Sequence, residues 1–212
     1  MDSCCGHANN LRFDGMDKRY IRTLWIVIII NALMFVVEMA GGTAADSMGL
    51  QADALDFFAD TVTYGITLWA IGKPLSVRAN AAFMKGISLV VIAAYVLLAS
   101  LYRVFVLETP VALTMGIIGA LAFAANLASV LLLYRYRKGD SNIQSVWLCS
   151  RNDMIGNAVI ILAAAGVYAT ASPWPDLAIA FLLAGLFMNS AIKILRQSIQ
   201  ERKEARHHHA AP

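Results

Sequence analysis

Two pairs of residues able to hold a cation lie inside otherwise apolar sequence: Asp56 with Asp60, and Cys149 with Asp153. Each pair is spaced by four, which puts both side chains on one helix face, one turn apart. A charged side chain within a membrane-length apolar segment costs about 3 kcal/mol or more unless something compensates it. Three carboxylates and a thiolate make a tetrahedral set for a divalent metal. Carboxylates suit Zn²⁺, Mn²⁺, Fe²⁺ and Co²⁺, and they release protons as a metal binds. The thiolate is softer and selects Zn²⁺, Cd²⁺ or Cu⁺ over Mg²⁺ or Ca²⁺. Blander readings exist for each pair. The aspartates would also serve as a polar stripe along a water-filled cavity, or as a proton relay. Cys149 alone would be a small apolar filler, but Asp153 one turn away favours the metal.

Other polar residues gather around these pairs in sequence. Asp53 lies beside the Asp56 face, three residues earlier. Asn31 and Asn126 fall in two further apolar segments, and their spacing to Asp56 and Cys149 hints at two related halves. Arg151 stands between Cys149 and Asp153 but points across the helix from them. An ion pair with Asp53 or Glu38, or snorkelling to the interface, would accommodate it. Cys4, Cys5 and His7 form a soft cluster near the start, read either as part of a disordered tail or as transient capture of cytoplasmic metal. His207, His208 and His209 near the end either touch a metal or play no part, and three are too few to be read as a tag. No phosphate-binding loop appears, which removes ATP-driven pumping. No nucleophile stands with a base and an orienting group, so no enzyme is expected.

Elements that must position these residues follow from composition. Of 212 residues, 59% are hydrophobic and 15% charged, with a mean hydropathy of +0.63. The apolar residues come in blocks of roughly 20, the length of a membrane span. The expected fold is an all-α membrane protein of six transmembrane helices at about 21–40, 48–72, 80–106, 111–135, 143–171 and 175–195. Residues 1–20 would be a cytoplasmic tail, 21–195 the transport domain and 196–212 a second short cytoplasmic tail. The start lacks the apolar core of a cleaved signal peptide. Of the 17 Lys and Arg, all but Arg103 and Arg151 fall at one end of the predicted bundle. The opposite connections carry Asp46, Glu108 and Asp176. The positive-inside rule then puts both termini in the cytoplasm. The net charge of +3 is used up in these connections, leaving no basic surface for a nucleic acid.

The run from Ser47 to Asp60, read with Glu38, Gly41 and Gly42 before it, resembles the cation diffusion facilitator family. That family pairs His or Asp with Asp four residues on in its second span, and again in its fifth; here these positions hold Asp56 and Asp60, then Cys149 and Asp153. The resemblance implies Asp56, Asp60, Cys149 and Asp153 as metal ligands, with Asn31, Asp53, Asn126 and Arg151 around them. It implies a proton-coupled exporter of a divalent transition metal, Zn²⁺ first and Cd²⁺, Co²⁺ or Fe²⁺ next, in the inner membrane. The transported ion and protons are its partners, together with the lipid bilayer. A homodimer through the membrane helices is expected, with no prosthetic group and no nucleic acid. Members of the family usually carry a cytoplasmic domain after the sixth span, and this chain reads as a short form without it. Cys149 stands where the family has His or Asp, and Asp56 where zinc exporters usually have His, which leaves the choice of metal open. The alternative is a membrane metal sensor or channel without proton-coupled turnover.

Overall fold

The computed structural model describes residues 18–70, 75–106, 108–137 and 141–210. Among the described residues there are six α-helices: α1 (Lys18–Ala44), α2 (Met48–Ala70), α3 (Leu75–Phe105), α4 (Ala112–Leu133), α5 (Ser141–Thr170) and α6 (Trp174–Ala210). A short 3-10 turn over Tyr134–Tyr136 extends α4. The six expected spans are therefore all present as helices. Five of them are long and apolar enough to cross a membrane. The exception, α2, is 23 residues long but carries Asp53, Asp56 and Asp60. At 1.5 Å per residue that length still covers about 34 Å, more than a hydrocarbon core.

The bundle hides its most polar helix. The tightest pairs are α1 with α2, α3 with α6, and α4 with α5, and α2 also touches α3, α4, α5 and α6. Contact with all five neighbours keeps the α2 carboxylates away from the outer surface. That surface is apolar instead: Leu98 is 65% exposed, Leu113 74% and Leu162 70%. Glu38, Asn31, Asp53, Asn126 and Asn157 are buried. Apolar residues outside and carboxylates inside is the arrangement a lipid solvent demands. This is a multi-pass membrane protein.

One end of the bundle is tied by polar contacts that set the start of α2. Asp46 adopts a left-handed backbone (φ 54°) that turns the chain out of α1. Ser47 caps α2, its Oγ accepting the Leu50 N–H at 3.1 Å. Asp176, at the start of α6, accepts the Met48 and Gly49 N–H groups at 2.7 and 3.0 Å and the Ser47 hydroxyl at 2.5 Å. Thus a buried carboxylate from α6 satisfies helix donors of α2 that would otherwise be orphaned. Gly49 is needed for this: a Cβ there would stand 2.8 Å from Asp176 Oδ1. Arg103, at the end of α3, bridges Asp46 at 2.8 Å and Glu108 at 3.0 Å.

Two boundaries differ from expectation. Gly41 and Gly42 read as part of a loop, yet α1 continues through them to Ala44. At Gly42 a Cβ would lie 3.0 Å from the backbone nitrogen of Gln51 and from Leu50 Cβ, so the glycine serves close packing of α1 on α2 rather than a turn. Helix α6 runs on to Ala210 instead of ending near 195. The run after Gln200 is rich in Glu, Lys, Arg and Ala and has no Gly or Pro before Ala210 to stop it.

Candidate metal centre

Midway along α2, four helices converge on a small pocket. It is lined by Asn31 of α1, by Asp53, Asp56, Phe57 and Asp60 of α2, by Asn126 of α4 and by Asp153 of α5. Asp56 and Asp60 present the same helix face because they are one turn apart. Asp153 brings the third carboxyl group across from α5, close to both Asp56 and Asp60. The three carboxyl groups therefore face one another in one buried pocket. Among the described residues, no three His, Cys, Asp or Glu side chains are already arranged as a coordination sphere.

The neighbours fix these groups in place. Tyr64, one further turn along α2, donates its hydroxyl hydrogen to Asp60 Oδ2. Asn31 donates an N–H to the Val27 carbonyl at 2.8 Å, which holds its amide against α1. Asp53 meets Glu38 of α1, carboxyl to carboxyl. One turn beyond Asp153, the Asn157 amide is fully buried and has no hydrogen-bonding partner.

Of the expected site residues, Asp53, Asp56, Asp60, Asp153, Asn31 and Asn126 all line the pocket. Cys149 does not. It is half-buried and packs with Leu68 and Trp147 against the apolar cluster around Tyr20, Leu24 and Tyr64. Its sulfur still lies close enough to Asp60 and Asp56 to interact electrostatically with both. Arg151 is exposed on the outside of α5, its guanidinium 5.3 Å from the Trp147 ring centre and 3.4 Å from Asn152 Oδ1. Among the described residues it forms no ion pair with Asp53 or Glu38. Cys4, Cys5 and His7 lie outside the described residues. Sequence reasoning passed over Tyr64 and Asn157. Both stand at a spacing of four from a site carboxylate, so the rule that found the carboxylates also reaches them.

The chain matches the model of the cation efflux transmembrane domain over residues 24–201. It is similar to the zinc transporter ZitB of Escherichia coli (strain K12), 27% identical over 85% of this chain and 62% of that protein. It is similar to the metal cation efflux system protein CzcD of Cupriavidus metallidurans, 27% identical over 84% of this chain and 60% of CzcD. A third relative is the cadmium, cobalt and zinc/H(+)-K(+) antiporter of Bacillus velezensis, 27% identical over 92% of this chain and 65% of the antiporter. The chain thus spans under two thirds of the length of these relatives. A match across almost all of the helical bundle, on a fold with buried carboxylates at its centre, places the chain in the cation efflux family of membrane transporters, not among enzymes.

Proposed function

We propose that the protein exports a divalent transition metal, Zn²⁺ first, from the cytoplasm in exchange for protons. Asp56, Asp60 and Asp153 are the carboxylate ligands, and Cys149 supplies the fourth once its sulfur turns from the apolar cluster towards Asp60. The observation that carries this reading is the meeting of three carboxyl groups from α2 and α5 in one buried pocket. Carboxyl groups packed this closely bind protons and a divalent ion in competition, so metal binding releases protons. A site that holds protons or metal, but not both, exchanges one for the other when it faces alternate sides of the membrane. The names of the relatives support the choice of ion, since one transports zinc and another cadmium, cobalt and zinc against H⁺ and K⁺. The same reading puts the protein in the cytoplasmic membrane as a homodimer, with both termini inside.

Sealed vesicles containing the purified protein test it. With a pH gradient across the membrane, Zn²⁺ added to one side should cross and be matched by counter-movement of protons. Asp153→Ala should abolish both fluxes. Metal binding without proton flux would leave a sensor, and proton-independent flux would leave a channel.

A further inference from the structure

The two directions leading out of the pocket are built differently. Towards the Asp46–Glu108 end lie buried polar groups without hydrogen-bonding partners beyond one another: both oxygens of Glu38, Oδ2 of Asp53 and the amide of Asn157. Towards the opposite end lies a plug of mostly apolar side chains, with the Trp147 Nε1 buried beside it without a hydrogen-bonding partner among the described residues. Tyr20 and Leu24 of α1, Leu133 at the end of α4, and Val146 of α5 pack there around the ring of Tyr64, all of them buried. The Tyr64 hydroxyl is the polar point on this plug that meets the pocket. It donates to Asp60 Oδ2, lies 3.4 Å from Ser150 Oγ and stands 3.5 Å from the Val146 carbonyl oxygen. With its hydrogen on Asp60, the hydroxyl accepts from Ser150 of α5, and the Val146 carbonyl beside it can take that hydrogen only when Asp60 gives it up.

We propose that Tyr64 is the inner latch of the site, a positioning residue that holds Asp60 and seals α2 to α5 on the side where the basic connections lie. This rests on the transport reading above, because a latch matters only if the site must open to that side. The geometry gives the latch its logic. The Tyr64 hydroxyl has one hydrogen, and Asp60 takes it. When Asp60 turns to a metal, that hydrogen bond is lost or redirected, and the tie to α5 loses its anchor. Loading of the site and the seal beneath it are thereby joined through one atom. Tyr64 is no ligand in this account; it acts through Asp60.

Cys149 is a native reporter of the seal, since its side chain packs in the plug. With Cys4 and Cys5 replaced by serine it is the sole thiol in the full chain. An impermeant maleimide is applied, without metal, to vesicles of each orientation. Tyr64→Phe keeps the ring and removes the hydroxyl. It should raise the alkylation rate of Cys149 roughly fivefold, the scale of one lost hydrogen bond, and only from the inner side. Ser150→Ala should raise it several-fold by removing one α5 contact, and it decides the matter if Tyr64→Phe does not fold. A thiol at Ala184, placed in the separate core cluster with Cys149 replaced by alanine, serves as the control. It should stay unreactive in both variants. An unchanged Cys149 rate overturns the latch. Equal exposure of the Ala184 thiol also overturns it, since Tyr64 would then serve general stability. Because no metal is used, failure here is separate from failure of the transport reading, which the Asp153→Ala fluxes decide.

Discussion

Residue types at a spacing of four carried most of the site. Asp56, Asp60 and Asp153 meet as that spacing requires once α2 and α5 are neighbours. What the spacing does not give is rotation about each helix axis relative to the other helices. Of the two accounts open for Arg151, an ion pair with a buried acid or snorkelling, the first is absent among the described residues: the side chain lies outside on Trp147, because α5 turns that face away from the bundle. Cys149 is off the pocket for a related reason: its face of α5 meets the apolar plug one turn below Asp153. Its role as a ligand is open to direct measurement. Cys149→Asp keeps a negative group but exchanges a soft donor for a hard one. It should lower Cd²⁺ affinity relative to Mn²⁺ by roughly tenfold or more, the range over which changes at metal sites act. Competition binding of the two ions at fixed pH measures the ratio. An unchanged ratio means the sulfur never reaches the metal, and Asp53, Asn31 or Asn126 in the pocket becomes the fourth donor.

Helices were legible because each is a long apolar run ended by polar, Pro-containing or Gly-containing connections. Contacts that dock them are not local and left no such trace. Nothing in the sequence around Asp176 marks it as the cap of α2, since Met48 lies far away along the chain. Asp176→Asn tests that contact. An amide cannot accept hydrogen bonds with its NH₂ end, so one buried helix donor loses its partner at a cost of about 1–3 kcal/mol. The thermal midpoint in detergent should fall accordingly. Gly49→Ala should fall by a similar amount, because its Cβ would press on Asp176 Oδ1. The double variant should cost less than the sum, since both changes break one contact. Additive losses would show that Asp176 and Gly49 act independently. A change of opposite sign is expected at Ala171, which ends α5 with φ 48°. A left-handed residue with a Cβ is strained by about 1 kcal/mol, and Gly is free of that strain. Ala171→Gly should raise the midpoint, and a fall would show that the Ala171 methyl makes a packing contact worth more than the strain.

At the scale of the molecule, the orientation in the membrane rests on charge, and the two basic residues that break the pattern now have physical accounts. Arg103 sits at the acidic end but is neutralised there by Asp46 and Glu108, so it adds no net positive charge to that side. Arg151 lies on the outer surface of α5, one turn beyond Trp147 and stacked on it. Trp is a residue of the membrane interface, and a long basic side chain beside it reaches the headgroups by snorkelling. With both accounted for, every uncompensated basic cluster lies at the end where α1 begins and α6 ends. The prediction is that this end faces the cytoplasm. Single thiols at Gly139 and at Ser172, in a chain whose three native cysteines are replaced, report on the two ends. An impermeant maleimide added to intact cells should label the thiol at 172 and leave that at 139 untouched until the membrane is opened. Because α4 and α5 are joined at one end and α5 and α6 at the other, labelling of both positions from outside would mean that α5 does not cross the bilayer. Labelling at 139 alone would mean the bundle is inverted, and an exporter would then have to be read as an importer.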